Sequence, residues 1–566
     1  MSLTLDKYLS GVGERFTPER GLIRERVKGT GYSSKIPRGS EAHGTRISAD
    51  YAIALLQRGR PADCRLAEEV LGALLMLQDT DPLSPTFGVW PWFAEESLAE
   101  MNPPDLNWAD FIGARLAQIV IEHGNEIDSE ARANVCSALR RAAASIFRRN
   151  VSLGYTNIAV MGAGVCVLAG EILGDELLVE YGRLKLGRLV DRTNEHGGFS
   201  EYNSPAYTMV VLEECERILQ LASDPEARRQ TESLRVQAWQ TIAEHFHVGT
   251  GQWAGPHSRS YSQVLDGRVA AYLARQTGAA ITPHPRATAD EHFGLVRPIE
   301  CPASLRDAFH RPAEADFTRR FLLREAGEDS VSGTTWMNAE ACLGSVNRDT
   351  MRDQRRVVLA YWKTDRDPAV MLRLRFLKNG RDFASAFVRN AQRGPRVLSA
   401  VNLLTNQGDV YPFDRPESGR FAVSDFRVVY ELTGEGVHSE ELGRGRFALC
   451  AGNWKAVIHT MPGQFGEFEV NWQTGGFGEV ARVEGVCYSG EERSFDLAGF
   501  DPIVLAFGME LLPVHENPLE VSPTIGGNER GLETPAPFLW SLPEPLVLHA
   551  PTKPEFYPYL LSASKV

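Results

Sequence analysis

Through the first half of the chain, apolar residues recur at helical spacing. The segments are "RISADYAIALLQRG", "CRLAEEVLGALLMLQ", "WADFIGARLAQIVIEHG", "ARANVCSALRRAAASIFRR", "NIAVMGAGVCVLAGEIL", "ELLVEYGRLKLGRLVDR", "YTMVVLEECERILQLA", "TESLRVQAWQTIAEHF" and "RVAAYLARQTG". Short connections such as "GRPAD", "GNEIDSE" and "GD" join them in pairs, and longer loops rich in glycine and aromatic residues separate one pair from the next. Helical hairpins repeated in this way predict a toroid or superhelix. The pattern changes near Asp316. "RRVVLAYWKT", "AVMLRLRFLK", "RFAVSDFRVVYELTG", "RFALCAGNWKAVIHTM" and "FGEFEVNWQTG" are short, β-branched and aromatic, with Gly, Pro, Asn and Asp between them. The expected class is a multidomain α+β chain: an incomplete (α/α) toroid over residues 1–280, a linker over 281–315, and a large antiparallel β-sandwich over 316–566. The Pro-rich tail "ETPAPFLWSLPEPLVLHAPTKPEFYPYLL" is expected to lie extended against the body.

Composition changes this picture little. The 566 residues are 43% hydrophobic and 23% charged, which fits two or three soluble domains. A net charge of -13 argues against a nucleic-acid partner. It leaves an acidic substrate open, because a local arginine cluster dominates inside a cleft. No apolar run is expected to span a bilayer, so no membrane partner is expected. The start "MSLTLDKYLSGVGERF" lacks a basic stretch followed by an apolar one. A cytoplasmic location is therefore expected, or a periplasmic or secreted one if a leader has been removed. The eight cysteines are scattered without a CxxC pair, as buried free thiols would be. No Cys/His/Asp cluster suggests a metal, and no cofactor is expected. Oligomeric state is not legible.

Candidate chemistry gathers at helix starts. Asn107, Asn157, Tyr207 and His257 stand 50 residues apart, each at or before the start of an inner helix. Alternate helices of such an array run parallel, so the four starts are expected to ring one cavity mouth. In "GGFSEYNSPAYTMVVLEECERIL", Ser204 reads as an N-cap and Pro205 as the first helical residue. Tyr207 then meets the positive helix end, which favours phenolate. Glu201 and Asn203 crowd the same mouth. In "QWAGPHSRSYSQ", His257, Arg259 and Tyr261 alternate beside Trp253, a set suited to a carboxylated or sulfated sugar. Trp90, Trp92, Phe93 and Trp108 offer faces on which sugar rings stack. Structural readings stand beside these: Tyr207 as a packed phenol, Asn157 as a cap, His257 as a loop histidine, and the tryptophans as a plug over helix ends.

The constellation resembles the polysaccharide lyases built from an α/α toroid and an antiparallel β-domain, with heparinases II and III and the related alginate lyases the nearest comparison. Those families carry an Asn at an inner helix start. A tyrosine follows about fifty residues later, after a segment of the type "DG-x-F-x-E-x-x-x-x-Y". Here "HGGFSEYNSPAY" has that outline and "YTNIAVMGAG" supplies the Asn. The resemblance implies β-elimination on a uronic-acid glycan. Asn157, helped by Arg259 or His257, would neutralise the carboxylate. Tyr207, with His257 or Tyr261, would move the protons. Asn107, Trp90, Trp92, Trp108, Glu201, Asn203 and Trp253 would bind an acidic polysaccharide or oligosaccharide.

The chain departs from that pattern. Ile158 follows Asn157 where the families often have His, and only His438 and His459 are candidates for a β-domain histidine. The loop "GPHSRSY" is not a motif of those lyases, and a sister family is expected. Two other classes remain in view. A glycoside hydrolase would need two carboxylates across the bond, and Glu95, Glu96, Asp110 and Glu201 lie near the expected mouth. A glycan-binding protein would use the cavity without chemistry.

Overall fold

A computed structural model describes residues 5–27, 33–288, 295–324, 330–406, 420–526 and 535–557. Its helical half is built from α1 (Leu5–Gly13), α2 (Thr45–Arg58), α3 (Pro61–Leu75), α4 (Trp108–His123), α5 (Ser129–Arg149), α6 (Thr156–Leu173), α7 (Glu176–His196), α8 (Tyr207–Leu221), α9 (Pro225–His245) and α10 (Gly267–Thr277). All the helical segments read from periodicity are present. α1 and a small sheet (Phe16–Thr17, Leu22–Arg26, Glu41–His43) precede them.

Hairpins pair α2 with α3, α4 with α5, α6 with α7 and α8 with α9. Laterally, α2, α4, α6 and α8 pack in succession as an inner ring, and α3, α5, α7 and α9 form the outer one. The sequence explains the division. α6 is apolar on nearly every face and nearly all its residues are buried, because helices flank it on both sides. By length and composition α6 would cross a membrane, contrary to the expectation that no apolar run is long enough, but it is the toroid's core helix. The outer helices α5, α7 and α9 keep one polar face and begin with a capping aspartate. Asp128, Asp175 and Asp224 accept from Ala131 N, Leu178 N and Ala227 N. The inner helices α4, α6 and α8 carry no such cap at the preceding residue.

The second half forms two antiparallel sheets. One runs in space from Asn471–Phe477 through Val480–Asp496, Arg420–Thr433, Val370–Lys378, Val358–Trp362, Ala341–Val346 and Val331–Met337 to Ala315–Leu322. The other runs from His438–Gly443 through Arg446–Ala451, Trp454–Thr460, Ala506–Pro513, Arg396–Leu403 and Ala386–Arg393 to Arg348–Thr350. Leu343, Leu372, Phe376 and Val428 of the first sheet share a core with Val388, Phe447, Ile458 and Phe507 of the second. The tail is more structured than expected. Ala536–Trp540 and Leu546–Ala550 pair as a hairpin, which packs Phe538 and Trp540 against Leu398 and Ala506. All eight cysteines are free thiols.

Two contacts fix the halves together near the mouth. The chain before α8 sends Tyr202 into the sheet core, where its ring stacks on Phe321 at 4.8 Å and its hydroxyl donates to Asp349 at 2.5 Å. The loop before α10 lies on the first sheet. Thr335 Oγ1 donates to Gly255 O, and a Cβ on Gly344 would overlap that carbonyl, so only glycine lets the loop approach this closely. Beyond α10, Leu295 crosses the far end of the toroid bore. Its carbonyl accepts from Gln57 and Gln118, each at 2.9 Å.

Candidate active site at the toroid mouth

The starts of α4, α6 and α8 bring one set of side chains together. Asn107 lies directly before α4, Asn157 is in the first turn of α6, and Tyr207 opens α8. α8 starts two residues later than expected. Ser204 Oγ accepts from Tyr207 N at 3.0 Å, while Pro205 and Ala206 form a turn outside the regular helix. Arg259 and Tyr261 arrive from the loop that rides on the sheet.

Three groups form the centre. The hydroxyls of Tyr207 and Tyr261 share a hydrogen bond of 2.5 Å. Arg259 Nη2 donates to both, at 2.9 Å to Tyr207 and 3.0 Å to Tyr261, and its guanidinium lies 4.7 Å from the centre of the Tyr207 ring. Burial opposes the charge on Arg259, but Tyr207, Tyr261 and Glu201 outweigh it and keep the guanidinium protonated. Tyr207 departs from expectation. Burial raises its pKa well above the ordinary phenol value, and Arg259 offsets this only in part. The resting Tyr207 is therefore a neutral phenol, and the helix end does not make it a base by itself. Tyr261 is 62% exposed and forms the solvent-facing side of the pair.

Asn157 and Glu201 sit behind this centre. Asn157 is fully buried, and both its backbone N and its Nδ2 donate to Glu201 Oε2, at 3.0 and 2.6 Å. Its Nδ2 is turned to Glu201 in the interior, and its Oδ1 has no hydrogen-bond partner among the described residues. Burial raises Glu201, against the pull of Arg259 and the Asn157 bonds. Glu201 and Arg259 lie close enough for each to feel the other's charge.

The histidine of the set also moves out. His257 is 2% exposed, its backbone pairs with Arg356, and its ring Nε2 faces Ala254 O at 3.2 Å. Burial and the nearby Arg356 lower it to about 3, so it is a neutral interior imidazole. Asn203 and Trp253 likewise shape the loop from within. At φ 42°, Asn203 donates to Ala254 O and Pro256 O and accepts from Trp253 Nε1 at 2.5 Å. Trp90 is sealed in the helical core with Nε1 on Leu74 O, and Phe93 is buried beside Val27 and Ala42. None of these rings offers a face to a sugar.

Trp92 and Trp108 are more open. Both are half-buried and stacked at 5.0 Å, and Phe111 meets Trp108 edge-on at 5.4 Å. Asn107 adjoins this platform, donates to Tyr155 Oη at 3.2 Å and accepts from Arg149 at 3.1 Å. Tyr155 was not singled out from the sequence. It stands one residue before α6, half-buried, with its phenol kept neutral by burial. Its signal was its place in "GYTN", beside the asparagine that drew attention instead.

The two sheet-domain histidines lie away from the mouth. His459 is buried on Glu510 at 2.9 Å beneath Trp540, and His438 lies on a sheet-edge strand opposite Cys450. Each carboxylate weighed for hydrolysis has a partner on one side: Asp110 meets Arg149 at 2.6 Å, Glu201 meets Asn157, Glu95 meets His43, and Glu96 meets Lys35 N at 2.5 Å, while Asp110 Oδ1, Glu201 Oε1 and Glu96 Oε2 have no partner among the described residues. The sheet domain contributes arginine rather than histidine. Arg355, paired with Asp349 at 3.0 Å, adds positive field at Glu201.

The family model described as a domain of unknown function (DUF8769) matches residues 28–288. That span carries α2 to α10 and the mouth. No curated protein matches the chain in sequence. Solved structures match in fold. The chondroitin AC lyase of Streptomyces coelicolor A3, in complex with chondroitin sulphate, aligns at a TM-score of 0.50 and 12% identity, over 95% of this chain and 83% of that one. A heparinase III aligns at 0.46 and 10% identity, over 97% and 92%. A GH127 β-arabinofuranosidase aligns at 0.29 and 10% identity, over 90% and 91%. At a TM-score of 0.50 the chondroitin AC lyase shares its fold with this chain.

Proposed function

We propose that the protein is a carbohydrate-active enzyme, a lyase that cleaves a uronic-acid glycan by β-elimination. The observation that carries this reading is the pair of phenols bridged at 2.5 Å and both held by Arg259, at a mouth flanked by half-buried tryptophans. Elimination needs a base for the proton on C5 and an acid for the oxygen leaving C4. Two coupled phenols that share one negative charge supply both. In the reacting form, with one proton removed from the pair, the solvent-facing Tyr261 oxygen takes the C5 proton. The C–H electron pair forms the C4–C5 double bond, the C4–O bond breaks, and Tyr207 protonates the leaving oxygen. The charge then rests on Tyr207, and the proton on Tyr261 crosses the short hydrogen bond to restore the pair. Arg259 holds one negative charge throughout. Tyr155, whose hydroxyl accepts from Asn107, is the neutral donor nearest to hand for the substrate carboxylate. Glu201, bonded by Asn157, supports the charge on Arg259.

The test is an absorbance assay for the conjugated double bond of an unsaturated uronate. The panel is heparan, chondroitin, hyaluronan, alginate, glucuronan, pectic and rhamnose-uronate polymers and their oligosaccharides. Tyr207→Phe is expected to lower turnover 10²- to 10⁴-fold, roughly the worth of a positioned proton-transfer group, with substrate affinity retained. New reducing ends without a double bond would replace the lyase with a hydrolase.

A further inference from the structure

Four arginines on the helices around the toroid bore are treated differently by their neighbours. Arg115 on α4 donates from Nε to Asp50 at 2.8 Å, Arg217 on α8 to Glu214 at 3.1 Å, and Arg268 on α10 to Glu213 at 3.4 Å. Arg46, in the first turn of α2, has no hydrogen bond or ion pair among the described residues. Its half-buried guanidinium lies over the ring of Phe111 at 4.3 Å. The carboxylates whose charge reaches it, Asp50 and Glu213, already answer Arg115 and Arg268. Burial and the fields of Arg115 and Arg268 pull Arg46 down to about 10, so it stays charged at neutral pH in surroundings that disfavour the charge. A half-buried cation whose nearest carboxylates are paired with other arginines gains from an arriving anion.

Position says where that anion comes from. Phe111 under Arg46 touches Trp108, Trp108 stacks on Trp92, and Trp108 follows Asn107, which bonds Tyr155. Thr45 Oγ1, one residue before Arg46, accepts from Trp108 Nε1 at 2.9 Å. A half-buried aromatic track thus runs from Arg46 along the mouth to the tyrosines. A guanidinium on an aromatic face presents its N–H edge for a bidentate pair of oxygens.

We propose that Arg46 is a substrate-binding residue that reads an anionic group, carboxylate or sulfate, on a sugar unit lying along the Trp92–Trp108 track next to the unit held at Tyr207. The assignment rests on the reading of the mouth as a site for acidic glycans. It does not need the elimination chemistry.

The test is calorimetric binding to the full chain carrying Tyr207→Phe, with and without Arg46→Gln or Arg46→Lys. The ligands are an unsulfated uronate oligosaccharide, its carboxyl-reduced counterpart, and a sulfated oligosaccharide. Arg46→Gln is expected to weaken the acidic ligands 10- to 100-fold and leave the carboxyl-reduced ligand unchanged, with melting unaltered. Arg46→Lys is expected to recover part of the loss. A loss confined to the sulfated ligand identifies sulfate, and a loss with the unsulfated uronate identifies carboxylate. Equal affinity of parent and Arg46→Gln for both acidic ligands overturns the assignment, as does a parent that binds neither. If Arg46→Gln loses affinity but no double bond forms in wild type, the lyase reading falls and Arg46 stands. If elimination proceeds with KM unchanged in Arg46→Gln, the reverse holds.

Discussion

The outer helices α5, α7 and α9 each start on an aspartate that caps the amide three residues on, while the inner helices α4, α6 and α8 start without one. The inner amides are met by groups of the mouth instead: Glu201 for Asn157 N and Ser204 for Tyr207 N. An aspartate cap closes a helix end locally. Glu201 ties the start of α6 to the segment before α8, and Ser204, a local cap like the aspartates, also ties the start of α8 to the loop that carries Arg259 and Tyr261. Ser204 illustrates the link, because its Oγ accepts from Tyr207 N and donates to Arg259 O at 2.7 Å. The comparison separates residues that hold the toroid up from residues that shape its opening.

Substitutions in the two sets should part along that line. Tyr207→Phe, at an inner start, is expected to cost the most in turnover and almost nothing in stability. A melting shift of several degrees with turnover intact would erase the distinction. Glu201→Ala should damage both, because it removes the acceptor for two Asn157 donors and a charge beside Arg259. About 1–3 kcal/mol of stability and roughly tenfold or more in turnover are expected, read by denaturant titration and by rate on the same preparation.

Glu216, deep on α8, tests the bore apart from the mouth. It accepts from Tyr272 Oη at 2.6 Å and from Ile299 N at 3.1 Å, and burial raises its pKa from 4.5 to about 7. The folded state therefore binds this proton more tightly than the unfolded state does. Stability from this group is present below about 4.5 and is lost as pH rises through about 7. Glu216→Gln should remove a pH-dependent stability change of about 3 kcal/mol across that window. Parallel stability-versus-pH curves for the two proteins would contradict it. The smallest effect belongs to an outer cap: Asp175→Ala should cost about 1 kcal/mol and leave turnover per folded molecule unchanged.

Much of the architecture was legible in the sequence, because helical periodicity and hairpin-length turns are local signals. The paired sheets were readable from β-branched segments for the same reason. The mouth was readable in part. Tyr207, Arg259 and Tyr261 come together, and Asn107, Trp92 and Trp108 line the same opening. Sequence spacing failed where burial decides. Asn157, His257, Asn203, Trp90 and Trp253 have the residue types of a binding site, but all five are buried and the hydrogen bonds they make are to interior groups. Trp253, for example, spends its N–H on Asn203, fifty residues earlier in the chain. Tyr155 and Arg46 were missed for the opposite reason. Each stands at a helix start like its neighbours, and only the packed structure brings the phenol to Asn107 and the guanidinium over Phe111.

The most direct test of the central claim is the absorbance of an unsaturated uronate formed by wild-type protein and by Tyr207→Phe on the same acidic glycan. The account predicts a steady rise with wild type and a 10²- to 10⁴-fold slower rise with the variant, at equal binding. Full activity in Tyr207→Phe, or cleavage by wild type without a double bond, would contradict it.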